Sequence, residues 1–308
     1  MSRADLLRSA KEYLGLRRAL GFKLYAETWL LPDFVAFLTA HGSPFITTDL
    51  AVRWAQQPPG ASRRWCARRL SVVRCFAKHR RAFDPRTEVP PPDLIPCRTT
   101  RRLPHLYTET EIAVLMRETR RLRPPIMAAT YEALLGLLAA TGMRVGEVLA
   151  LDDGDVDWRR SLLKVRHAKF QKHRLVPLHA STLAALQEYV AVRERLCVRL
   201  GPWLFASTVG TRVIHQPFHH VFLRLIRRTG IGDGRRPRRP RLHDLRHTFA
   251  VNTIRDWYRS GVDVERRLFS LSTYLGHVSP TSTYWYLTAT PELLALAGQR
   301  LESWRRRR

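Results

Sequence analysis

The sequence is poor in cysteine and has no long apolar run, and these shortages exclude several classes of protein. No two of its four cysteines stand in a C-x-x-C pair, so neither a structural zinc site nor a disulfide framework is expected. The longest apolar stretch, residues 126–140, contains Glu132 and is too short to span a membrane. Because the chain also begins without an apolar signal segment, we expect a soluble cytoplasmic protein. The cysteines are Cys66, Cys75, Cys97 and Cys197.

Acidic residues are scarce, with 26 Asp and Glu against 53 Lys and Arg, and the formal net charge is +27. A polyanion is therefore the expected partner, and nucleic acid is the first candidate, although charge alone would suit other anions. Lysine is rare too. Three of the six lysines, Lys164, Lys169 and Lys172, fall in one short segment, which favours a specific need for an ammonium group there.

The first third of the chain predicts helices over residues 6–19, 26–40, 49–56 and 62–83, separated by glycine and proline breaks. The fourth helix has an apolar stripe and an opposite basic face. Such a face is often only solvated, but because nearly all its charges are positive we predict that it contacts DNA phosphates. The basic residues of this face are Arg64, Arg68, Arg74, Lys78 and Arg81.

The rest of the chain predicts a second domain with a mainly helical fold and a small antiparallel sheet. We expect a helical DNA-binding domain over residues 1–90, a proline-rich linker over 91–104, a second domain over 105–304 and a basic tail over 305–308. A capping-box pattern at Thr108 and Glu111 predicts a helix from there to about residue 122, and a second, apolar helix is predicted over 126–140, ended at Gly142. Two short strands flank residues 168–173. Five further helices are predicted over 181–200, 216–228, 242–259, 263–275 and 291–302.

Short islands in this second domain carry the residue types that phosphodiester cleavage needs without a metal. Such a site requires cations on the phosphate oxygens, a nucleophile and a proton donor for the leaving oxygen. The islands contain Arg144, Lys169, His243, Arg246, His277 and Tyr286. Each has an ordinary alternative: Arg144 could pair locally with Glu147, and His277 could cap a helix end. Lys172 and Tyr284 remain the alternatives to Lys169 and Tyr286.

The order of these islands resembles the tyrosine recombinases, the phage integrase family, over about residues 105–300. Thr141-Gly-Met-Arg144-Val-Gly-Glu147 resembles the first arginine box, Leu242-His243-Asp-Leu-Arg246-His247 the second, and Leu275-Gly-His277 the third. Tyr286 follows His277 by nine residues, as the family's nucleophile does. The hairpin Ala168-Lys169-Phe-Gln-Lys-His-Arg174-Leu-Val-Pro177 resembles the one that carries the family's catalytic lysine.

The resemblance implies a site-specific recombinase or integrase, acting for a mobile element, that forms a 3′-phosphotyrosyl intermediate at Tyr286. Arg144 and Arg246 would grip the phosphate, His243 would assist proton transfer, and His277 would donate to a phosphate oxygen. It also implies a fold with a helical clamp and an α+β catalytic domain, and a homotetramer on two DNA sites, with or without accessory recombinases.

Other functions fit less well. A type IB-like topoisomerase shares this chemistry, and a non-catalytic DNA-binding accessory protein would share the charge. The acidic run Asp152 to Asp157 imitates a calcium loop, but Trp158 stands where that loop needs glycine. His219 and His220 are adjacent rather than spaced as two ligands on one helix face. We expect no metal and no cofactor. A basic loop, which includes Arg235 and Arg236, is predicted to bind DNA.

Overall fold

The structure is a computed structural model, and it describes residues 3–97, 103–166, 173–197, 201–232, 239–277, 279, 281–288 and 291–305. The chain divides into two compact units, Met1–Arg102 and Leu103–Arg308. Across these described ranges, none of the helices combines the length and the apolar character needed to cross a membrane.

The first unit contains four helices, α1 to α4, and each overlaps one that the sequence predicts. They are α1 (Arg3–Ala19), α2 (Glu27–Ala40), α3 (Thr48–Gln56) and α4 (Arg63–Arg80). Thr47 and Ser62 cap α3 and α4, because their side-chain oxygens accept hydrogen bonds from backbone amides in the first turn. Phe34, Trp54 and Phe76 are fully buried at the centre of this unit.

Part of the proline-rich segment packs against the first unit. Ile95 is buried in the same apolar cluster as the four helices. Arg74 of α4 donates from Nε to the Pro90 carbonyl at 2.8 Å and from Nη2 to the Pro91 carbonyl at 2.9 Å. Residues beyond position 90 therefore belong structurally to this unit.

The second unit begins with α5 (Glu109–Thr119), and Thr108 and Glu111 form the predicted capping box at its start. The apolar helix α6 (Pro125–Thr141) is the centre of the largest core cluster and packs against α5. It ends at Gly142, whose φ of 59° is the left-handed conformation that glycine adopts without a steric penalty. The four-residue helix α7 (Val145–Val148) follows directly.

A three-stranded antiparallel sheet follows α7. Its strands, in spatial order, are β1 (Val156–Asp157), β2 (Leu162–Val165) and β3 (Arg174–Pro177). Val165 pairs with Arg174, so β2 and β3 flank residues 167–172, which lie outside the described part of the chain. Buried Leu163 and Val176 face the core from these two strands.

Helices complete the second unit. They are α8 (Ala180–Leu196), α9 (His215–Thr229), α10 (Leu242–Arg259), α11 (Val264–Leu275), α12 (Thr281–Tyr284) and α13 (Pro291–Arg305). A 3₁₀ turn, Trp285–Thr288, separates the last two. A second apolar cluster joins α10, α11 and α13 and includes Tyr286 and Leu293. The prediction of a mainly helical fold with a small antiparallel sheet is confirmed.

Candidate active site

Arg144 lies at the junction between α6 and α7, where Gly142 has ended the apolar helix. Its Nη1 donates to Glu147 Oε1 at 2.7 Å, so the local ion pair that the sequence suggested is present. Its Nη2 donates to the carbonyl of Gly276, also at 2.7 Å. The same guanidinium therefore joins α7 to the turn before His277, across 132 residues of sequence.

Arg246 lies on α10 and is 2% exposed. It donates from Nη1 to the Gly142 carbonyl at 2.9 Å and from Nη2 to the Leu275 carbonyl at 2.7 Å. Burial, and then the positive charge of Arg144, lower the pKa of Arg246 to about 10, so it stays charged at neutral pH. A guanidinium has more N–H donors than these two carbonyls use, and the carbonyls fix the plane of the donors that are left.

Glu147 and Arg174 form an ion pair at this site that sequence reasoning missed. Arg174 Nη1 and Nη2 donate to the two carboxylate oxygens of Glu147 at 3.0 and 2.7 Å. Burial alone would raise the pKa of Glu147, but the hydrogen bonds and charges of Arg174 and Arg144 outweigh it and lower this pKa to about 2. The only sequence signal is that Glu147 belongs to the first arginine box and Arg174 to the lysine hairpin.

His243 lies at the start of α10, three residues before Arg246, and is partly exposed, while its ring lies against that of His247. Its pKa is lowered to about 4, first because the surrounding protein displaces water from the ring and then because Arg246 lies near. The imidazole is therefore neutral at neutral pH, which is the state that a general base requires. Its ring meets that of His247 edge-on, with centroids 4.8 Å apart.

Tyr286 lies in the 3₁₀ turn after α12 and is 2% exposed. Its ring centroid is 5.5 Å from that of His247 and 6.1 Å from that of His277. Tyr286 is also close enough to Arg246 to influence the pKa of that guanidinium. The Nδ1 atom of His277 and the Oγ1 atom of Thr283 form a 2.6 Å hydrogen bond, which ties the third motif to the helix preceding the tyrosine.

The other two tyrosines in this region have different surroundings. Tyr284 is 52% exposed on α12. Tyr274 stacks on Phe249, and burial raises its pKa to about 12. Exposure alone would favour Tyr284 as a nucleophile, whereas the histidine contacts and the nearby arginine favour Tyr286.

The predicted DNA-binding residues fall into three groups. Arg64, Arg68 and Lys78 are exposed on α4, Arg81 is exposed just after its end, and Arg68 also pairs with Glu27 at 2.8 Å. Arg74 is half-buried and donates to the carbonyls of Pro90 and Pro91, so its guanidinium is used within the first unit. The remaining three, Lys172, Arg235 and Arg236, lie outside the described part of the chain, as does Lys169, which was predicted to be catalytic.

The acidic run after α7 is neutralised by arginines. Asp152 pairs with Arg212 at 2.5 Å, Asp153 with Arg193 at 2.7 Å, and Asp155 with Arg166. These carboxylates therefore link the segment before β1 to α8, to Arg166 after β2 and to Arg212. Among the residues that the structure describes, no group of three or more His, Cys, Asp or Glu side chains is arranged to hold a metal.

Comparison with known proteins places this site in context. The model of the phage integrase family matches residues 106–292. A Sinorhizobium fredii protein named as an integrase/recombinase, y4rB, is 44% identical over 96% of both chains. The tyrosine recombinase XerC of Chlamydia caviae is 27% identical over 75% of this chain and 70% of its own.

Two solved structures share the fold. The XerH site-specific recombinase, bound to a palindromic difH substrate, has a TM-score of 0.65 and 21% identity, covering 98% of this chain and 85% of its own. The Tn1549 transposon integrase, in complex with a circular intermediate DNA, has a TM-score of 0.67 and 15% identity, covering 95% and 99%.

Proposed function

The chain belongs to the phage integrase family and is a site-specific tyrosine recombinase, and we propose that Tyr286 is its nucleophile. In this proposal the Tyr286 oxygen bonds to the scissile phosphorus of double-stranded DNA, and the bond to the 5′ oxygen breaks. A 3′-phosphotyrosyl link and a free 5′ hydroxyl result. The ester preserves the bond energy, so a 5′ hydroxyl of another strand can reverse the step without an energy source.

The observation that carries this proposal is the meeting of four separate islands, those of Arg144, Arg246, His277 and Tyr286. Arg144 donates to the Gly276 carbonyl and Arg246 donates to the Leu275 carbonyl, so the two guanidiniums hold the two residues before His277. His277 in turn lies beside Tyr286. Two guanidiniums fixed on the turn before His277, with a tyrosine beside that histidine, supply the charge and the nucleophile that a phosphoryl transition state needs.

The other residues of the site accept or donate protons and hydrogen bonds. His243, neutral at neutral pH, accepts the proton from the Tyr286 hydroxyl, and His277 donates a hydrogen bond to a non-bridging phosphate oxygen. Lys169, from the segment outside the described residues, protonates the leaving 5′ oxygen. Because the Tyr286 ring is enclosed in the free protein, attack requires that DNA binding uncover its hydroxyl.

The test of the nucleophile compares two tyrosine variants on nicked suicide duplexes tiled across the DNA that flanks the gene. Tyr286→Phe is expected to abolish the SDS-stable protein–DNA adduct, because the attacking oxygen is missing. Tyr284→Phe, the matched control in a nearby exposed position, is expected to retain it. The reverse pattern would assign the nucleophile to Tyr284.

The role of Lys169 is tested with a better leaving group. Lys169→Ala is expected to cleave an ordinary phosphodiester slowly and a 5′-bridging phosphorothiolate at nearly the wild-type rate, because a thiolate leaves without a proton. Lys172→Ala is the matched control and is expected to cleave both substrates. Failure of the phosphorothiolate to rescue Lys169→Ala would remove the acid role.

We further propose that four protomers assemble on two DNA duplexes of a mobile element, with or without accessory recombinases. Names among the relatives support this context, since one structure is that of a transposon integrase. Light scattering of the complex formed by the Tyr286→Phe protein with its cleavable duplex is expected to give a mass of four chains and two duplexes. A stable complex of one chain per duplex would contradict the assembly.

A further inference from the structure

Arg174, the first residue of β3, uses all three of its guanidinium nitrogens in contacts beside Arg144. Its Nε donates to the Tyr274 carbonyl at 2.8 Å, while Nη1 and Nη2 donate to Glu147. The side chain is only 10% exposed. Arg174 is therefore placed to hold its neighbours rather than to bind a phosphate itself.

The charges around Glu147 show what Arg174 adds. One carboxylate is shared by two guanidiniums, those of Arg144 and Arg174, so the group of three carries one net positive charge. Without Arg174, the buried Glu147 would have Arg144 as its remaining cation in this group, and the two charges would cancel. A cation that already neutralises a buried carboxylate attracts a phosphate less strongly.

We propose that Arg174 is a positioning residue for strand cleavage, which neutralises Glu147 so that Arg144 keeps its charge for the scissile phosphate. The inference rests on the proposed function. It adds to that function a residue that acts through Arg144 and touches no reacting atom.

The geometry around Gly276 supports the same role. Gly276 has a φ of 68°, and a Cβ built there would lie 2.9 Å from Arg174 Nη1 and 3.4 Å from Arg144 Nη1. Both arginines also donate to carbonyls of the segment that ends α11, at Tyr274 and Gly276. Arg174 thus helps to set the position of the turn that leads to His277.

The experiment first removes and then restores the net positive charge of the group formed by Arg144, Glu147 and Arg174. Arg174→Met leaves no net charge on the group, and its cleavage rate at saturating nicked suicide duplex is expected to fall roughly 100-fold, as when a preorganised donor is lost from a transition-state site. The double variant Arg174→Met/Glu147→Gln restores one net positive charge. It is expected to cleave roughly 10-fold faster than the single variant, a coupling typical of residues in contact.

A merely structural role predicts the opposite order, since the double variant removes a further buried partner and should cleave no faster than Arg174→Met. That outcome, or an unchanged rate in Arg174→Met, would overturn the inference. Arg174→Lys keeps the positive charge and replaces Arg174→Met in the experiment if that variant does not fold. Its cleavage rate is expected to fall by less than 100-fold. A 100-fold fall in Arg174→Lys would also overturn the charge role.

Two controls separate this inference from the proposed function. Arg120 and Glu132 belong to none of these motifs and form an ion pair with an N–O distance of 2.7 Å, in which the Arg120 side chain is 68% exposed. Arg120→Met and Arg120→Met/Glu132→Gln are expected to cleave like wild type. If Tyr286→Phe forms as much adduct as the wild type, the proposed nucleophile is wrong. If the adduct depends on Tyr286 but Arg174→Met cleaves at the normal rate, only the proposed role of Arg174 is wrong.

Discussion

At the scale of single residues, the site depends on charges that are held in place by backbone carbonyls and by one shared carboxylate. Arg246 contacts two carbonyls, and Arg144 contacts one carbonyl and Glu147. Because Glu147 is buried and its pKa is lowered, the stability of the protein is expected to depend on pH, and cleavage is expected to depend on the protonation of His243, the proposed base.

Glu147 makes acid stability a direct test of the shared ion pair. Its pKa falls from 4.5 to about 2 on folding, so its stabilisation is complete above about pH 4.5 and is lost as the pH falls toward 2. This shift corresponds to roughly 3 kcal/mol of unfolding free energy. Denaturant unfolding of Glu147→Gln is expected to lack that pH-dependent part. Glu132→Gln is the control, and equal pH dependence in wild type and Glu147→Gln would contradict the pairing.

His243 predicts the acid limb of the cleavage reaction. A base must be neutral to accept a proton, and a lowered pKa keeps His243 neutral to lower pH. The single-turnover adduct rate is therefore expected to fall only below pH 6.5, the ordinary value for histidine. His243→Gln should remove this limb together with most of the rate, while His220→Gln on α9 should leave the profile unchanged. A wild-type midpoint at 6.5 or above would argue against the assignment.

The sequence could predict the residues of the site but not all of their contacts. Arg144, Arg246 and His277 stand in recognisable motifs, so their presence near Tyr286 was expected. The bidentate contact between Glu147 and Arg174 joins residues 27 positions apart on α7 and β3. No local spacing rule relates two such elements, because their approach depends on how the sheet packs against α11.

Among the elements, the long helices could be predicted from the periodicity and caps of the sequence, whereas the short elements could not. The bounds of α10 are those that the sequence predicts, and α6 differs from its prediction by one residue at each end. The helices α7 and α12 have four residues each, and β1 has two. Elements of one turn or less contain no complete hydrophobic period, so their formation depends on tertiary contacts.

Gly142 lies between α6 and the short helix α7, and replacing it tests whether α7 depends on tertiary contacts. A Cβ at Gly142 would lie 2.6 Å from Phe249, in addition to the strain of its positive φ. Gly261, with a φ of 72° and nothing within 4 Å of a built Cβ, has the strain alone. Gly261→Ala is expected to cost about 1–2 kcal/mol of unfolding free energy, the ordinary cost of the left-handed conformation.

Gly142→Ala is expected to cost more than this control in urea denaturation, because Phe249 must move as well as the backbone. It should also slow cleavage in the folded protein, since the Gly142 carbonyl accepts a hydrogen bond from Arg246. If the two alanine variants unfold at the same urea concentration, the close approach of Phe249 to Gly142 is wrong.

For the whole molecule, the net charge of +27 attracts the protein to the DNA phosphates before any catalytic contact forms. Each phosphate neutralised by a basic side chain releases counterions, so the dependence of affinity on salt counts these contacts. The composition indicated a polyanionic partner but could not say which arginines are available. The structure separates Arg64, Lys78 and Arg81, which are exposed on α4 or just after its end, from Arg74, which donates hydrogen bonds to proline carbonyls.

Salt titration of DNA binding tests this separation. Replacing Arg64, Lys78 and Arg81 with alanine is expected to lower the slope of log affinity against log salt by roughly 0.9 for each residue that contacts a phosphate. Arg74→Ala is the matched variant on the same helix. It is expected to leave the slope unchanged but to lower the melting temperature, because the Pro90 and Pro91 carbonyls lose their donors. If instead Arg74→Ala lowers the slope and the triple variant does not, the basic face of α4 points away from DNA, and the phosphate contacts of the first unit lie elsewhere.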